Sequence, residues 1–154
     1  MCLIIVKPED KKFDAKILDI AWNMNADGGG FMYWDAEKNN LVVKKGFLTR
    51  YNFIDEIKKH EDKRIVVHFR YSTHGAKDAN NCHPFKINEN LAFVHNGQMH
   101  NIKIINKQFS DTWHFNQKCK QILKSFPNFW KNSRFKQRTE KEIGKGNKLV
   151  FMNN

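Results

Sequence analysis

Polar residues that could act on a small molecule follow two apolar runs of this 154-residue chain. The runs, Ile65 to Val67 and Leu91 to Val94, predict strands because they are short and apolar, the first of them β-branched throughout. The polar residues at or just beyond their ends are Arg70, Thr73, His74, His95, Asn96 and Gly97. Such a density of orienting side chains at strand ends is typical of a small-molecule site.

Arg70 and the Asn96-Gly97 pair indicate what that site could recognise. An Arg guanidinium can bind a carboxylate through two parallel hydrogen bonds. Asn96 offers a side-chain amide donor beside the unhindered backbone N–H of Gly97, and such a donor pair can stabilise a developing oxyanion. Taken singly, these are ordinary loop residues, and Asn-Gly indicates only a hairpin. Catalysis on a carbonyl would also require a nucleophile.

Cys2 is the candidate nucleophile, because it follows Met1 directly. A second residue as small as Cys permits removal of Met1, which would leave Cys2 with a free α-amino group. That amine has a reference pKa of about 8, so it can act as a base near neutral pH. One residue would then supply both nucleophile and base. Considered alone, a Cys here is more often a small buried residue at the start of a strand.

Length and composition predict one domain with a substantial core. The hydrophobic content of 40% excludes disorder, and no run approaches the roughly 20 apolar residues of a membrane span. Three widely spaced cysteines predict a reducing, cytoplasmic location. The net charge of +11 is concentrated between Lys118 and Lys148, among aromatic residues. That basic C-terminal third could bind a polyanion, but we favour a solvated helical face over apolar core positions.

Periodicity and capping predict the other elements. Strands are expected at Cys2 to Val6, Phe31 to Trp34, Leu41 to Lys45 and Lys148 to Met152. Helices are expected at Phe13 to Met24, Tyr51 to His60, from Ser110 or Asp111 to Pro127, and at Asn128 to Ile143. The first helix is expected to bury one apolar face, made of Phe13, Ile17, Ile20, Ala21 and Met24.

Five ordered elements within the first 112 residues resemble a known family. They are Cys2, His68-Phe-Arg70-Tyr71-Ser-Thr73-His74-Gly75, Asn81-Cys82-His83-Pro84, His95-Asn96-Gly97 and Ser110-Asp111-Thr112. Their order and spacing are similar to the glutaminase domain of the class II glutamine amidotransferases, which are N-terminal nucleophile (Ntn) hydrolases. Two positions depart from that pattern: Leu3 stands where the family usually has Gly, and Trp113 stands where Glu often follows.

The resemblance implies a fold and a reaction. The fold is α+β, a four-layer αββα sandwich of two mostly antiparallel sheets, formed by a single amidotransferase domain over residues 1–154. In the reaction, Cys2 attacks the side-chain amide of L-glutamine, a thioester forms with release of ammonia, and water then returns glutamate. No cofactor is implied. The expected partner is a separate synthase that accepts the ammonia.

The resemblance also assigns roles to individual residues. Cys2, Asn96 and Gly97 would be catalytic, with the last two holding the oxyanion. The residues that would bind glutamine are Arg70, Tyr71, Thr73, His74 and Asp111, with Arg70 on the α-carboxylate and Asp111 on the α-ammonium. The supporting residues would be His68, Gly75, His83 and His95.

Two other functions remain open from the sequence. Cys82, His83, His95 and His100 could supply metal ligands, but they lack the paired spacing of zinc sites, so we expect no metal. A catalytically inactive Ntn-fold protein that binds an amide ligand, a protein or a polyanion is the more serious alternative. Labelling of Cys2 by a glutamine-like electrophile separates an activated thiol from an inert one.

Overall fold

The computed structural model describes residues 1–153, which form seven strands, four α-helices and two short 3₁₀ turns. The strands are β1 (Leu3–Lys7), β2 (Gly29–Asp35), β3 (Asn40–Phe47), β4 (Ile65–Phe69), β5 (Phe85–Asn88), β6 (Leu91–Asn96) and β7 (Lys148–Met152). The helices are α1 (Ala15–Met24), α2 (Arg50–Lys58), α3 (Asp111–Ser125) and α4 (Ser133–Ile143). No helix within residues 1–153 is long and apolar enough to span a membrane.

The strands form two antiparallel sheets. The first has the strand order β1-β4-β2-β3 and the second the order β5-β6-β7. In the first sheet Leu3 of β1 pairs with Phe69 of β4, so Cys2 lies beside the point where β4 ends. In the second sheet β6 is central, and its last residue, Asn96, pairs with Lys148 of β7.

Side-chain alternation along the strands produces three apolar layers between four layers of structure. On β4, Ile65 and Val67 pack into the core shared with α1 and α2, whereas Val66 faces the second sheet. On β6, Phe93 packs toward α3 and α4, whereas Val94 faces the first sheet. The order is therefore helices, sheet, sheet, helices, and the predicted αββα sandwich is confirmed.

Side-chain caps determine where three of the helices begin. Asp14 accepts hydrogen bonds from the backbone N–H groups of Lys16 and Ile17 at the start of α1. Ser110 accepts from the N–H of Trp113 and so starts α3, as the sequence predicts. Asn132 caps α4 in the same way. The predicted helix over Asn128 to Ile143 is therefore divided into a 3₁₀ turn at Phe129–Lys131 and α4.

The predicted buried face of α1 is largely wrong. Ile17, Ile20 and Met24 are 54%, 58% and 70% exposed. The helix instead buries a neighbouring stripe that consists of Leu18, Ala21 and Trp22. Burying the Trp22 side chain removes more apolar area from water than burying an isoleucine, and its ring packs 5.6 Å from the ring of Phe53 on α2.

Candidate active site

The candidate site lies where the ends of β4 and β6 meet. These strands belong to different sheets and face each other across the sandwich, so they are not neighbours in one sheet. The Nε2–H of His68 on β4 donates to the carbonyl oxygen of His95 on β6 at 2.9 Å, which joins the two sheets. The polar residues that follow both strands are thereby brought to one end of the sandwich.

A small cavity of about 20 Å³ lies at this end. Its walls consist of Cys2, Arg70, Tyr71, Thr73, His74, Asn81, His83, His95, Gly97, Ser110, Asp111 and Thr112. Nine of the twelve predicted site residues are in that set, and the exceptions are His68, Gly75 and Asn96. A volume of this size holds one or two water molecules.

The thiol of Cys2 is held by the backbone of Tyr71. The N–H of Tyr71 donates to Sγ at 3.3 Å, and Sγ lies 3.4 Å from the carbonyl oxygen of Tyr71. Burial raises the pKa of the Cys2 thiol, against the lowering effects of the Tyr71 hydrogen bond, the nearby chain terminus and Arg70. Leu3 packs into the core with α1 and α2, on the strand face opposite Cys2, and so leaves the cavity clear.

The guanidinium of Arg70 holds the loop that follows β4. Nη1 donates to the carbonyl oxygen of Ala76 at 2.9 Å, and Nη2 donates to Ser72 Oγ at 3.0 Å and to the carbonyl oxygen of His74 at 3.2 Å. Arg70 is 3% exposed, although Tyr71, Thr73 and His74 in the adjoining loop are exposed. No pattern in the sequence predicts that the Arg70 side chain hydrogen-bonds to residues of the loop that follows it.

Asp27 is a second anchor of the same loop, and sequence reasoning missed it. Its carboxylate accepts from the N–H of Ser72 at 2.8 Å and forms an ion pair with Lys77 at 2.6 Å. Burial acts to raise the pKa of Asp27, but the contacts with Lys77 and Ser72 and the charge of Arg70 together outweigh it, so the pKa is lowered. The partner lies 45 positions away, so no local pattern could have revealed it.

Asp111 opens α3 and is surrounded by donors. Oδ2 accepts from the N–H of Met99 at 2.7 Å, and Oδ1 accepts from the N–H of Thr112 at 2.7 Å. An acidic side chain in the first turn also lies favourably in the field of the helix dipole. Asp111 is therefore an oriented carboxylate on the wall of the cavity that Arg70 also lines.

Asn81 connects the His83 segment to the start of α3. It is fully buried; its Oδ1 accepts from the N–H of Ser110 at 2.7 Å, and its Nδ2 donates to the carbonyl oxygen of Gln108 at 3.0 Å. Gly75 lies against this junction with a φ of +75°, and a side chain there would come within 2.7 Å of the Ser110 nitrogen. Gly75 therefore does not line the cavity, but it allows the loop after β4 to pack closely against the start of α3.

Asn147 lies immediately before β7 and positions His95. Asn147 Nδ2 donates to the carbonyl oxygen of Ile143 at 2.6 Å, so its Oδ1 faces His95 Nε2 at 2.7 Å. A neutral His95 therefore carries its proton on Nε2, and its Nδ1 accepts from the hydroxyl of Thr112 at 2.8 Å. Asn147 also covers Gly97, whose φ is +138° and which has no room for a β-carbon.

Three histidines form a buried cluster behind Cys2. The rings of His68 and His83 are 4.0 Å apart between centroids, and those of His83 and His95 are 6.4 Å apart. Burial lowers the pKa of His68 to about 3, lowers that of His83 well below its usual value and lowers that of His95. Neither ring nitrogen of His83 has a hydrogen-bond partner among the described residues. The cluster is therefore neutral at physiological pH.

Asn96 is not among the cavity-lining residues. Alternation along β6 directs its side chain into the space between the sheets, on the side of the second sheet that faces Cys2. Its Oδ1 is buried and has no donor among residues 1–153. Gly97, by contrast, lines the cavity directly.

Of the four candidate metal ligands, His83 and His95 line the same cavity, whereas Cys82 and His100 do not. Among residues 1–153, no group of three or more His, Cys, Asp or Glu side chains has a placement that could hold a metal ion.

Comparison with known proteins identifies the family. A family described as "Glutamine amidotransferases class-II" matches residues 14–113, which is more than half of the chain. The chain therefore belongs to the class II glutamine amidotransferases. It is also similar to "Probable glutamine amidotransferase DUG3" of Saccharomyces cerevisiae, with 29% identity over 107 residues. That alignment covers 64% of this chain and 30% of the yeast protein, so the chain matches less than a third of its relative.

Proposed function

We propose that this protein is a glutaminase in which Cys2 hydrolyses L-glutamine to glutamate and ammonia. The observation that carries the proposal is the shared cavity of Cys2, Arg70 and Asp111. A cation and an anion that line one cavity are suited to the α-carboxylate and α-ammonium of an amino acid. Tyr71, Thr73 and His74 complete the rim on which the substrate would bind.

In the proposed reaction, the Cys2 α-amine takes the thiol proton and the thiolate attacks the glutamine amide carbon. The Gly97 N–H and the Asn96 amide stabilise the resulting oxyanion. The protonated amine returns its proton to the leaving nitrogen, ammonia departs, and a thioester remains. Water attacks that thioester, which gives glutamate and the free thiol.

This chemistry requires removal of Met1. With Met1 present, the Cys2 nitrogen belongs to a peptide bond and has no lone pair available as a base. Met1 is 83% exposed, so its removal disrupts no buried contact.

We expect the loop after β4 to move when glutamine binds. The cavity of about 20 Å³ is partly open to solvent and encloses only part of an amino acid of this size. Arg70 already uses Nη1 and Nη2 on Ala76, Ser72 and His74, so the substrate carboxylate must replace or join these acceptors. The exposed rim of Thr73 and His74 is where we expect the movement.

We further propose that residues 1–154 act as one amidotransferase domain that passes ammonia to a separate synthase. The free thiols of Cys82 and Cys119 suit a reducing compartment, and we therefore place the reaction in the cytoplasm. In this account the lysines and arginines of the basic C-terminal third take no part in glutaminase chemistry.

One observation favours a second candidate, an inactive Ntn-fold binding protein. The cavity is small, and the ionic groups of Arg70 and Asp111 already have partners within the chain. A protein that kept its fold but had lost turnover would show the same features. The two candidates differ in whether the thiol of Cys2 is activated.

Covalent labelling with 6-diazo-5-oxo-L-norleucine tests the proposal. We expect Met1-processed protein to gain one adduct, which peptide mass spectrometry assigns to Cys2. The matched control is Cys119→Ala, because Cys119 is fully buried and remote from the cavity. Cys119→Ala should label normally and Cys2→Ala should not label at all. Labelling that persists in Cys2→Ala, or its absence from processed wild-type protein, contradicts a nucleophilic Cys2.

A further inference from the structure

A second pocket, with a volume of about 250 Å³, lies behind the active-site cavity. The two share the same supporting segments. Asn81 and His83 face the cavity, whereas Asn80 and Pro84 face the pocket. On α3, Asp111 and Thr112 line the cavity and the following residues, from Trp113 to Lys120, supply one wall of the pocket. Trp113, which departs from the family pattern, therefore belongs to this second pocket.

Lys45 of β3 is the central cation of the pocket. Its Nζ donates to the carbonyl oxygen of Asn80 at 3.0 Å and lies 4.3 Å above the ring of Phe85. No carboxylate oxygen within residues 1–153 lies within 4.0 Å of it. Asp78 exerts some attraction on Lys45, but its Oδ1 is already hydrogen-bonded to Asn81.

The surroundings of Lys45 are unfavourable for an ammonium group. Burial lowers its pKa to about 8, and the charges of Lys120 and Arg70 add to that effect. A partly desolvated cation is normally stabilised by an anion. Lys86 also lines the pocket, but its ammonium group is paired with Glu89, so Lys45 and Lys120 are the two lining cations without an ion pair among the described residues.

The polar lining on α3 consists of Asn116, Gln117 and Lys120. Lys120 is exposed and forms no ion pair with the described residues. Asn116 is 4% exposed, and its Oδ1 has no hydrogen-bond donor in the described part of the chain. Because Oδ1 is buried out of reach of the pocket, the ligand class is set by Lys45 and Lys120, which favour an anion.

We propose that this pocket, formed by Lys45, Lys120 and Asn116, binds a phosphate group, either inorganic phosphate or the phosphate of a small organic molecule. Hydrogen phosphate carries two negative charges, which match the ammonium groups of Lys45 and Lys120. The volume accommodates the phosphate with a few further heavy atoms beside Trp113 and Phe85. The proposal does not depend on Cys2 or on glutaminase activity.

Isothermal titration of the full chain with inorganic phosphate, and separately with glycerol 3-phosphate, tests this site at constant ionic strength. The variants are Lys45→Met and Lys120→Met. The matched control is Lys124→Met, which removes the same charge one turn further along α3 from an exposed side chain that lines neither pocket. We expect saturable binding that weakens roughly tenfold or more in each pocket variant and less than about twofold in the control.

The results distinguish three outcomes: binding of an organic phosphate, binding of inorganic phosphate, and absence of a specific phosphate site. Tighter binding of glycerol 3-phosphate supports an organic phosphate, and equal binding supports inorganic phosphate. Failure of the wild-type protein to bind either one overturns the proposal. Equal weakening in Lys124→Met also overturns it, because the effect would then reflect the net charge of +11. If Lys45→Met does not fold, the exposed Lys120 gives the deciding measurement.

Discussion

His68 and His95 join the two sheets through a single hydrogen bond of 2.9 Å, from the Nε2–H of one to the carbonyl oxygen of the other. Because a carbonyl oxygen only accepts, His68 must carry its proton on Nε2. Its Nδ1 is then an acceptor, and it has no donor among the described residues. This bond holds the ends of β4 and β6 together, and every residue proposed for catalysis lies beside one of those ends or beside β1.

The neutral histidine cluster should make stability depend on pH. The pKa of His68 falls from an ordinary value of 6.5 to about 3 on folding, so the unfolded chain binds a proton first as the pH drops. The contribution of neutral His68 to the free energy of unfolding is therefore fully present above about pH 6.5 and is lost as the pH falls toward 3. The free energy of unfolding should fall by about 1.4 kcal/mol per pH unit for His68 alone, and by more with His83 and His95.

Urea unfolding at several pH values between about 7.5 and 4.5 measures this dependence. His68→Gln keeps a donor for the carbonyl oxygen of His95 but cannot titrate, so the slope should become shallower by about 1.4 kcal/mol per pH unit. His100→Gln is the control, because His100 is exposed. Equal slopes in His68→Gln and wild-type protein would show that His68 is not a buried neutral group.

Asn147 should matter to both stability and the catalytic cavity. Asn147→Ala leaves the Nε2–H of buried His95 without an acceptor, which should cost about 1–3 kcal/mol of unfolding free energy. Asn101→Ala is the matched control, since Asn101 also donates to a carbonyl at the end of α4, that of Glu142, but is exposed. Thermal or urea unfolding compares the two. If Asn147→Ala lowered the free energy of unfolding no more than Asn101→Ala does, water would be replacing Asn147 as the acceptor for the Nε2–H of His95.

Arg70 should be far less tolerant of lysine than a surface arginine is. A lysine cannot span the carbonyl oxygens of Ala76 and His74 together, so Arg70→Lys should speed amide hydrogen exchange over residues 72–76. It should also raise the KM for glutamine by roughly thirtyfold, or about 2 kcal/mol. Arg50→Lys is the control, because the Arg50–Asp19 pair is half exposed and surface pairs contribute less than about 1 kcal/mol. If Arg70→Lys and Arg50→Lys changed KM and amide hydrogen exchange equally, Arg70 would not be a glutamine-binding residue.

The arrangement of elements was predictable because local signals were strong. The caps Ser110 and Asn132 have short side chains that satisfy free N–H groups, and the local pattern predicts the first of them, at Ser110 or Asp111. Strand β5 was missed because it has only four residues, yet its alternation of buried Phe85 and Ile87 with half-buried neighbours is a usable signal. The α1 face was misassigned because two apolar stripes compete on that helix, and tertiary contact with Phe53 decides between them.

The residues that line the site were predictable from the sequence, but the residues that hold them in place were not. Ordered motifs identified residues such as Cys2, Arg70 and Asp111, which the fold brings to one cavity. Asp27 and Asn147 were missed because they contact Ser72 and His95 across 45 and 52 positions. Pairing of this kind depends on how the two sheets stack, which no local pattern of residues encodes.

Ammonia release from L-glutamine by protein whose Met1 has been removed, verified by intact mass, tests the central claim most directly. The account predicts one ammonia per glutamate. It also predicts that Cys2→Ala lowers the rate at least about 1,000-fold, equivalent to about 4 kcal/mol, while Cys119→Ala leaves it nearly unchanged. Processed, folded protein that releases no ammonia, or a Cys2→Ala variant as active as wild type, would contradict a catalytic role for Cys2.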